Sequence, residues 1–301
     1  MYRVPRLLLA FLLGTGVVTV HPAVRVMAAS GSDKAAATTQ RATLKPVAAT
    51  PADIPLHDFD FQAEQQLLEL ANQSRAQAGV SPLTMDSGLS QAARTHAEAI
   101  LEAGRLSHQF DGEPSLAQRL ATATRLQLDQ EGENVAFDSN PVQGHQHLML
   151  SPPHRANLLN PAYNVVGLGA VRDGDRLYIV EDFGHALPNY SPAEVKDRVA
   201  AALNQMRRQA NQPDLARRDS LTLDDAACSM AQAEKLSTAN IRQLAQRYTL
   251  LTYNTLRPET LPANATRALK NSYSRSFSVG TCYARTNTYP TGVYWIVVSL
   301  E

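Results

Sequence analysis

The heptapeptide Asn72-Gln73-Ser74-Arg75-Ala76-Gln77-Ala78 returns 132 positions later as Asn204-Gln205-Met206-Arg207-Arg208-Gln209-Ala210. Five of its seven residues are unchanged, and Leu83 and Leu215 stand at the same offset. Further pairs follow with small shifts: Ala92, Ala93 and Ala97 against Ala226, Ala227 and Ala231, and Val166-Gly167 against Val279-Gly280. A chain that repeats itself over this length builds one supersecondary design twice; the competing explanation is chance likeness between two alanine-rich helices. From Ala97 to Gly167 is 70 positions and from Ala231 to Gly280 is 49, so the second copy has lost about 21 residues from its middle.

The copies account for two expected domains, 57–189 and 190–301. Ahead of them, Arg3 and Arg6 precede an apolar run from Leu7 to Val20, and small residues follow at Ala28-Ala29-Ser30. This is the layout of a signal peptide over residues 1–29. The run is too short for the roughly 20 residues that cross a bilayer, so membrane contact is expected only if this segment stays uncleaved. Residues 30–56, rich in Ala, Thr, Ser and Pro, bury too little to offset ordering entropy and read as a flexible linker. An exported chain points to secretion, the periplasm or the cell envelope. There Cys228 and Cys282, the chain's 2 cysteines, should pair across 54 positions and join a helix to a strand.

Charge sharpens the division. Lys+Arg 28 against Asp+Glu 28 sums to zero and gives no basic footprint for nucleic acid. The zero conceals +3 in residues 1–29, −8 in residues 30–189 and +5 in residues 190–301. Complementary fields between the two halves follow as a hypothesis.

Local signals place the elements. Asp60 caps a helix carrying Leu67, Leu68, Ala71 and Arg75 and ending before Gly79; a second runs from Leu89 to Ala103 with Gly104 as its stop. Leu106 to Gly132 reads as looser chain with a helical piece over Ser115–Thr124. Val142–Leu150 is helical, and Ser151-Pro152 starts a short helix that Asn160-Pro161 ends. Val165–Val171 and Leu177–Val180 are strands joined by a hairpin through Asp173-Gly174.

All 8 His precede residue 186. His108 lies in Leu106-Ser107-His108, Glu133 in Gly132-Glu133-Asn134, and His154 in Ser151-Pro152-Pro153-His154-Arg155-Ala156-Asn157. With Asn72–Arg75 and Val166-Gly167-Leu168-Gly169, these segments resemble, in order over residues 61–185, a bacterial CAP domain. This is the family of cysteine-rich secretory proteins, antigen 5 and pathogenesis-related proteins. The resemblance implies an α+β fold, a three-layer α-β-α sandwich, followed here by a smaller, shortened CAP-like domain. It also implies a cleft in which His108, Glu133 and His154 converge. Ser151 stands where the second glutamate of the eukaryotic pattern would be, and His145 resembles a rim histidine of bacterial relatives.

A histidine in the first turn of a helix is held neutral and fit for a metal, and a glutamate hydrogen-bonded to an imidazole fixes its tautomer. His108 and His154 are therefore candidate ligands for Zn²⁺ or another divalent metal. Two imidazoles are an incomplete set, so binding should be weak and no cofactor is required. His145 and His147, two apart on a helix, lie on different faces. His96 reads as a solvated or packing residue and Glu181-Asp182 as a solvated strand edge. Two functions compete: an envelope binding module for a small apolar ligand, a glycan or a protein, and a metal-dependent, peptidase-like hydrolase with Glu133 as base or orienter. Without a recognisable nucleophile, binding is the expectation.

Overall fold

The computed structural model describes residues 58–270 and 273–301; the expected signal peptide and linker lie outside these residues. In the first half the elements run α1 (Phe61–Gln77), β1 (Thr84–Met85), α2 (Ser87–Ala103), α3 (Leu116–Ala123), β2 (Gln127–Asp138), α4 (Pro141–Leu150), α5 (Pro152–Leu158), β3 (Val165–Asp173) and β4 (Arg176–Leu187). Asp60 and Gly104 act as read: the Asp60 carboxylate accepts from Ala63 N, and Gly104 ends α2 at φ 63°. Helix α2 starts before the expected Leu89, at Ser87, because the Asp86 carboxylate caps it by accepting from Leu89 N. Ser151 stands at the N-cap of α5, but its hydroxyl makes no capping bond.

The strands form one sheet in the order β1-β3-β4-β2, with β1 parallel to β3 and the other pairs antiparallel. Both faces are covered. Ala63, Leu67 and Ala71 of α1, with Leu148 and Leu158 of α4 and α5, pack on Val166, Leu168, Ala170, Leu177, Ile179 and Phe183. Ala93, Ala97 and Ile100 of α2 cover Val135, Val171, Tyr178 and Val180 on the opposite face. The period-2 alternation of the strands feeds each helical layer, which gives the α-β-α sandwich.

The second half comprises α6 (Pro192–Gln209), β5 (Ala216–Arg218), α7 (Leu221–Gln232), α8 (Arg242–Arg247), β6 (Thr249–Thr255), α9 (Ala265–Leu269), β7 (Ser276–Ala284) and β8 (Val293–Leu300). Its sheet order, β5-β7-β8-β6, reproduces the first. The repeated heptapeptide does the same work twice. Asn72 bonds the backbone N–H and carbonyl of Leu83, as Asn204 does for Leu215. Arg75 and Arg207 are fully buried and donate to the carbonyls of Ser81 and Leu158, and of Pro213 and Leu269. Gly167 and Gly280 each lie so close to the helix above that a Cβ would sit 2.0 or 2.1 Å from backbone of Leu89 or Leu223. Chance likeness does not produce these pairs. Helix α4 has no counterpart between β6 and α9, but most of the shortening falls earlier: the register pairs Glu133 with Thr252, and the chain from Ala231 to Thr252 is much shorter than that from Ala97 to Glu133.

Cys228 on α7 and Cys282 on β7 form the expected disulfide. One element departs from the sequence reading: Gln127–Gly132 belongs to the twelve-residue strand β2 rather than to looser chain. Its mixed burial hides the alternation, because this edge strand carries polar groups where a buried strand would carry aliphatic ones. Among the described residues, no helix is long and apolar enough to cross a membrane.

Candidate functional site

Strands β2 and β4 put charged residues on both faces of the sheet. Glu133 is paired in register with Asp182, and Asn134 with Glu181. Because side chains alternate, Glu133 and Asp182 face α2 and α3, while Asn134 and Glu181 face α5.

On the α2 side, Glu133 is buried and both its oxygens are engaged. Oε1 meets His108 Nδ1 at 2.8 Å, and Oε2 accepts from Arg119 Nη2. Arg119, from α3, also donates to the His108 carbonyl at 3.2 Å and lies 3.3 Å from Glu113 Oε1. His96 is fully buried beneath them: Nδ1 meets Glu113 at 2.6 Å and Nε2 donates to the Ser107 carbonyl at 2.9 Å. Asp182 is also fully buried, and neither of its oxygens meets a donor. Burial first, then the Glu133 charge, push its carboxyl well above the usual range against the pull of Arg119. Burial thus favours the neutral form of Asp182, beside a Glu133 whose two oxygens are taken by Arg119 and His108.

On the α5 side, Asn134 Nδ2 donates to the His154 carbonyl at 3.1 Å and to Glu181 Oε2 at 3.0 Å, while Asn157 donates to Asn134 Oδ1 and to the Glu133 carbonyl. This ties α5 to the strand that carries Glu133. Glu181 is fully buried, and burial raises its pKa to about 7. Burial, and then the neighbouring His108, lower the pKa of His154, so its ring is neutral at pH 7.

Of the candidates, His108 and Glu133 meet directly at the edge strand, and His154 lies near enough to feel the His108 charge, with Ser151 half-buried at the start of the helix that carries His154. His145 does not join them. It is buried between α4 and α1, with Nε2 2.8 Å from Ser74 Oγ, because it shares the inner face of α4 with Gly144 and Leu148; it is not a rim residue. His147 points outward to Asp138, on a different face from His145. Glu181 and Asp182 are not a solvated edge either. They lie within β4, whose partners β2 and β3 and two helical layers exclude water, and the unbroken apolar run Leu177–Val180 was the signal that both faces of this strand are buried. His96 is no solvated residue, and with Glu113 and Arg119 it completes a network that sequence reasoning missed.

The second copy measures what these residues cost. Aligned through Gly167 and Gly280, its register puts Thr252, Tyr253, Ile296 and Val297 where the first has Glu133, Asn134, Glu181 and Asp182. The same sheet is therefore built without carboxyls at these positions, so the fold itself does not require them. Among the described residues, no three His, Cys, Asp or Glu side chains gather as a metal's ligand set. A groove of about 510 Å³ beside α5, lined by Met149, Leu150, Pro152, Arg155, Leu159 and Pro161, includes none of the three converging residues. With the His108 side chain 60% exposed, the polar site is an open shelf.

Residues 68–183 match the model of the cysteine-rich secretory protein family, CAP. A curated relative, the uncharacterized protein YkwD of Bacillus subtilis, is 31% identical over 119 residues, which cover 37% of this chain and 43% of the relative. Among solved structures, an extracellular protein containing an SCP domain from Bacillus anthracis is similar at 26% identity and a TM-score of 0.38, over 41% of this chain and 40% of that one. An outer surface protein of Borrelia burgdorferi is 17% identical with a TM-score of 0.40, over 44% of this chain and 100% of that one. The chain spans about two fifths of the length of the two Bacillus relatives.

Proposed function

We propose that the protein is an extracellular binding module that works through the CAP domain matched over residues 68–183. Its shelf of His108, Glu133 and His154 takes a hydrogen-bonding partner, an envelope glycan, laid across the edge of the sheet. The carrying observation is that both oxygens of Glu133 are already bound, one by His108 and one by Arg119. A carboxylate so engaged orients an imidazole and is poorly placed to take a proton from water, which favours binding over hydrolysis. Glu133 fixes the Nδ1–H tautomer of His108 and leaves Nε2 as an outward acceptor, beside the neutral ring of His154. A shelf rather than an enclosed pocket favours a glycan or protein over a small apolar ligand.

The two imidazoles also fit a weakly held divalent metal. Half a ligand set suits an exchangeable ion and not structural zinc, and such an ion would supply Lewis acidity at the shelf. An extracellular location is supported by the disulfide and by the description of the Bacillus anthracis relative as extracellular.

The test is calorimetric titration of the wild-type protein, His108→Ala and His154→Ala with soluble peptidoglycan fragments and, separately, with Zn²⁺. Binding of the fragments, weakened about tenfold or more by either substitution, is the expected result; no binding, or binding indifferent to both, rejects the reading. Turnover of the fragments that needs Zn²⁺ would move the site to the hydrolase class.

A further inference from the structure

The second copy lacks the site but touches the segment that builds it. Arg119 closes the network from α3 and Glu133 from β2, and the chain between them, Leu120–Gly132, sets their relative position. Arg285, in the loop after β7, donates to the carbonyls of Ala121 at 2.6 Å and Leu126 at 3.3 Å. Ala121 lies in the last turn of α3, whose carbonyls have no partners within the helix, and that turn has no basic residue of its own. Arg285 therefore supplies from the other half the cation a helix C-terminus favours.

The remaining bonds fall a few residues further on. Thr291 Oγ1 donates to the Leu128 carbonyl at 2.9 Å in a buried contact, Gln127 Nε2 donates to the Gly292 carbonyl at 3.3 Å, and Arg257 holds Asp129 Oδ2 at 2.6 Å. Between Leu128 and Gln130 the β2–β4 register slips by one residue. A bulge interrupts the ladder, and beside it the second copy meets the Leu128 carbonyl and the side chains of Gln127 and Asp129. The slip also decides which residues of β2 face α3.

We propose that the second copy is a positioning element for the CAP site: Arg285 and Thr291 fix the end of α3 and the bulge of β2, and so hold Arg119 and Glu133 in the geometry that sets the His108 tautomer. Hydrogen bonds weaken steeply beyond about 3.5 Å. A slip of α3 against β2 by about an ångström therefore releases Glu133 from Arg119 and loosens its hold on His108. The inference rests on His108 and Glu133 being the working groups, but its readout needs no ligand.

In the full chain, Arg285→Ala with Thr291→Val is compared with the wild type by nitrogen-15 NMR of the histidine side chains. The Nδ1–H share of His108 should fall by about half as Glu133 loses its place. Met230→Ala, in the core of α7, is the control, destabilising the second copy without touching Ala121–Asp129; its His108 signal should match the wild type. Arg285→Lys keeps one donor and should fall between, and it carries the test alone if the double variant does not fold. A wild-type His108 signal in the folded Arg285 variants overturns the proposal, as does an equal change in Met230→Ala. If glycan binding fails while the tautomer shift is found, the binding reading falls and the positioning role stands.

Discussion

Arg119 is surrounded by Glu113, Glu133 and Asp182, two as ion-pair partners and one as a buried neighbour whose pKa burial raises. Removing the guanidinium strands buried carboxylates, which costs about 3–5 kcal/mol when one partner of a buried pair is lost. Arg119→Met should show that loss in urea unfolding at pH 7 and recover much of it at pH 4, where the carboxyls can neutralise themselves; an equal loss at both values would mean that Arg119 acts through packing. Glu181 predicts the opposite pH sense. Folded, it holds its proton up to about pH 7, and the unfolded chain releases it near 4.5, so stability falls as pH rises through that window and is level above it. The interval corresponds to about 3 kcal/mol. Glu181→Gln should lessen the slope, the share due to buried Asp182 remaining, and melt above the wild type at pH 8 and close to it at pH 4; an unchanged slope in the variant would place the titration elsewhere. His108, Glu133 and His154 were legible because each sits in a short motif whose order along the chain is distinctive. Asp182 was not, since nothing local tells a buried carboxyl from a solvated one; the neighbours that raise its pKa come from strands and helices far apart in sequence.

Helices carry their own punctuation, and strands borrow theirs from partners. α1 and α2 could be placed within about two residues because Asp60 and Gly104 act on backbone groups next to them. β2 escaped because it is an edge strand with a bulge, where polar site residues erase the period-2 pattern. The glycines of β3 and β7 show the reverse, a local residue with a long-range cause: Gly167 and Gly280 let α2 and α7 lie on the sheet at backbone distance. Alanine at either position would put a methyl carbon about 2 Å from a helix backbone, so the helix must lift. Both Gly167→Ala and Gly280→Ala should therefore lose about 3 kcal/mol or more, the upper end for overpacking. Only Gly167→Ala should also disturb the side-chain NMR signals of His96 and His108, because α2 carries His96 and leads into the loop of His108, while α7 carries no residue of the site. Equal stability in either variant would show that the close approach yields at little cost.

Across the whole molecule, the charge division proves coarser than the contacts. The −8 and +5 halves meet through the Arg257–Asp129 ion pair, but Arg285, Thr291 and Gln127 bond neutral carbonyls, so interlocking rather than attraction of net charge joins them. Interlocked halves should unfold as one, and the chain carries a probe of each: every histidine lies before residue 186, and the single tryptophan, Trp295, is buried in the second sheet. Thermal curves from the histidine NMR signals and from Trp295 fluorescence should superimpose. Reducing Cys228–Cys282, worth about 2–4 kcal/mol, should lower both midpoints together by roughly 5–15 °C for a domain of this size. A shift of the Trp295 curve alone would mean that the halves melt independently. The second copy could then not hold α3 and β2 in place at temperatures where the first still keeps its site.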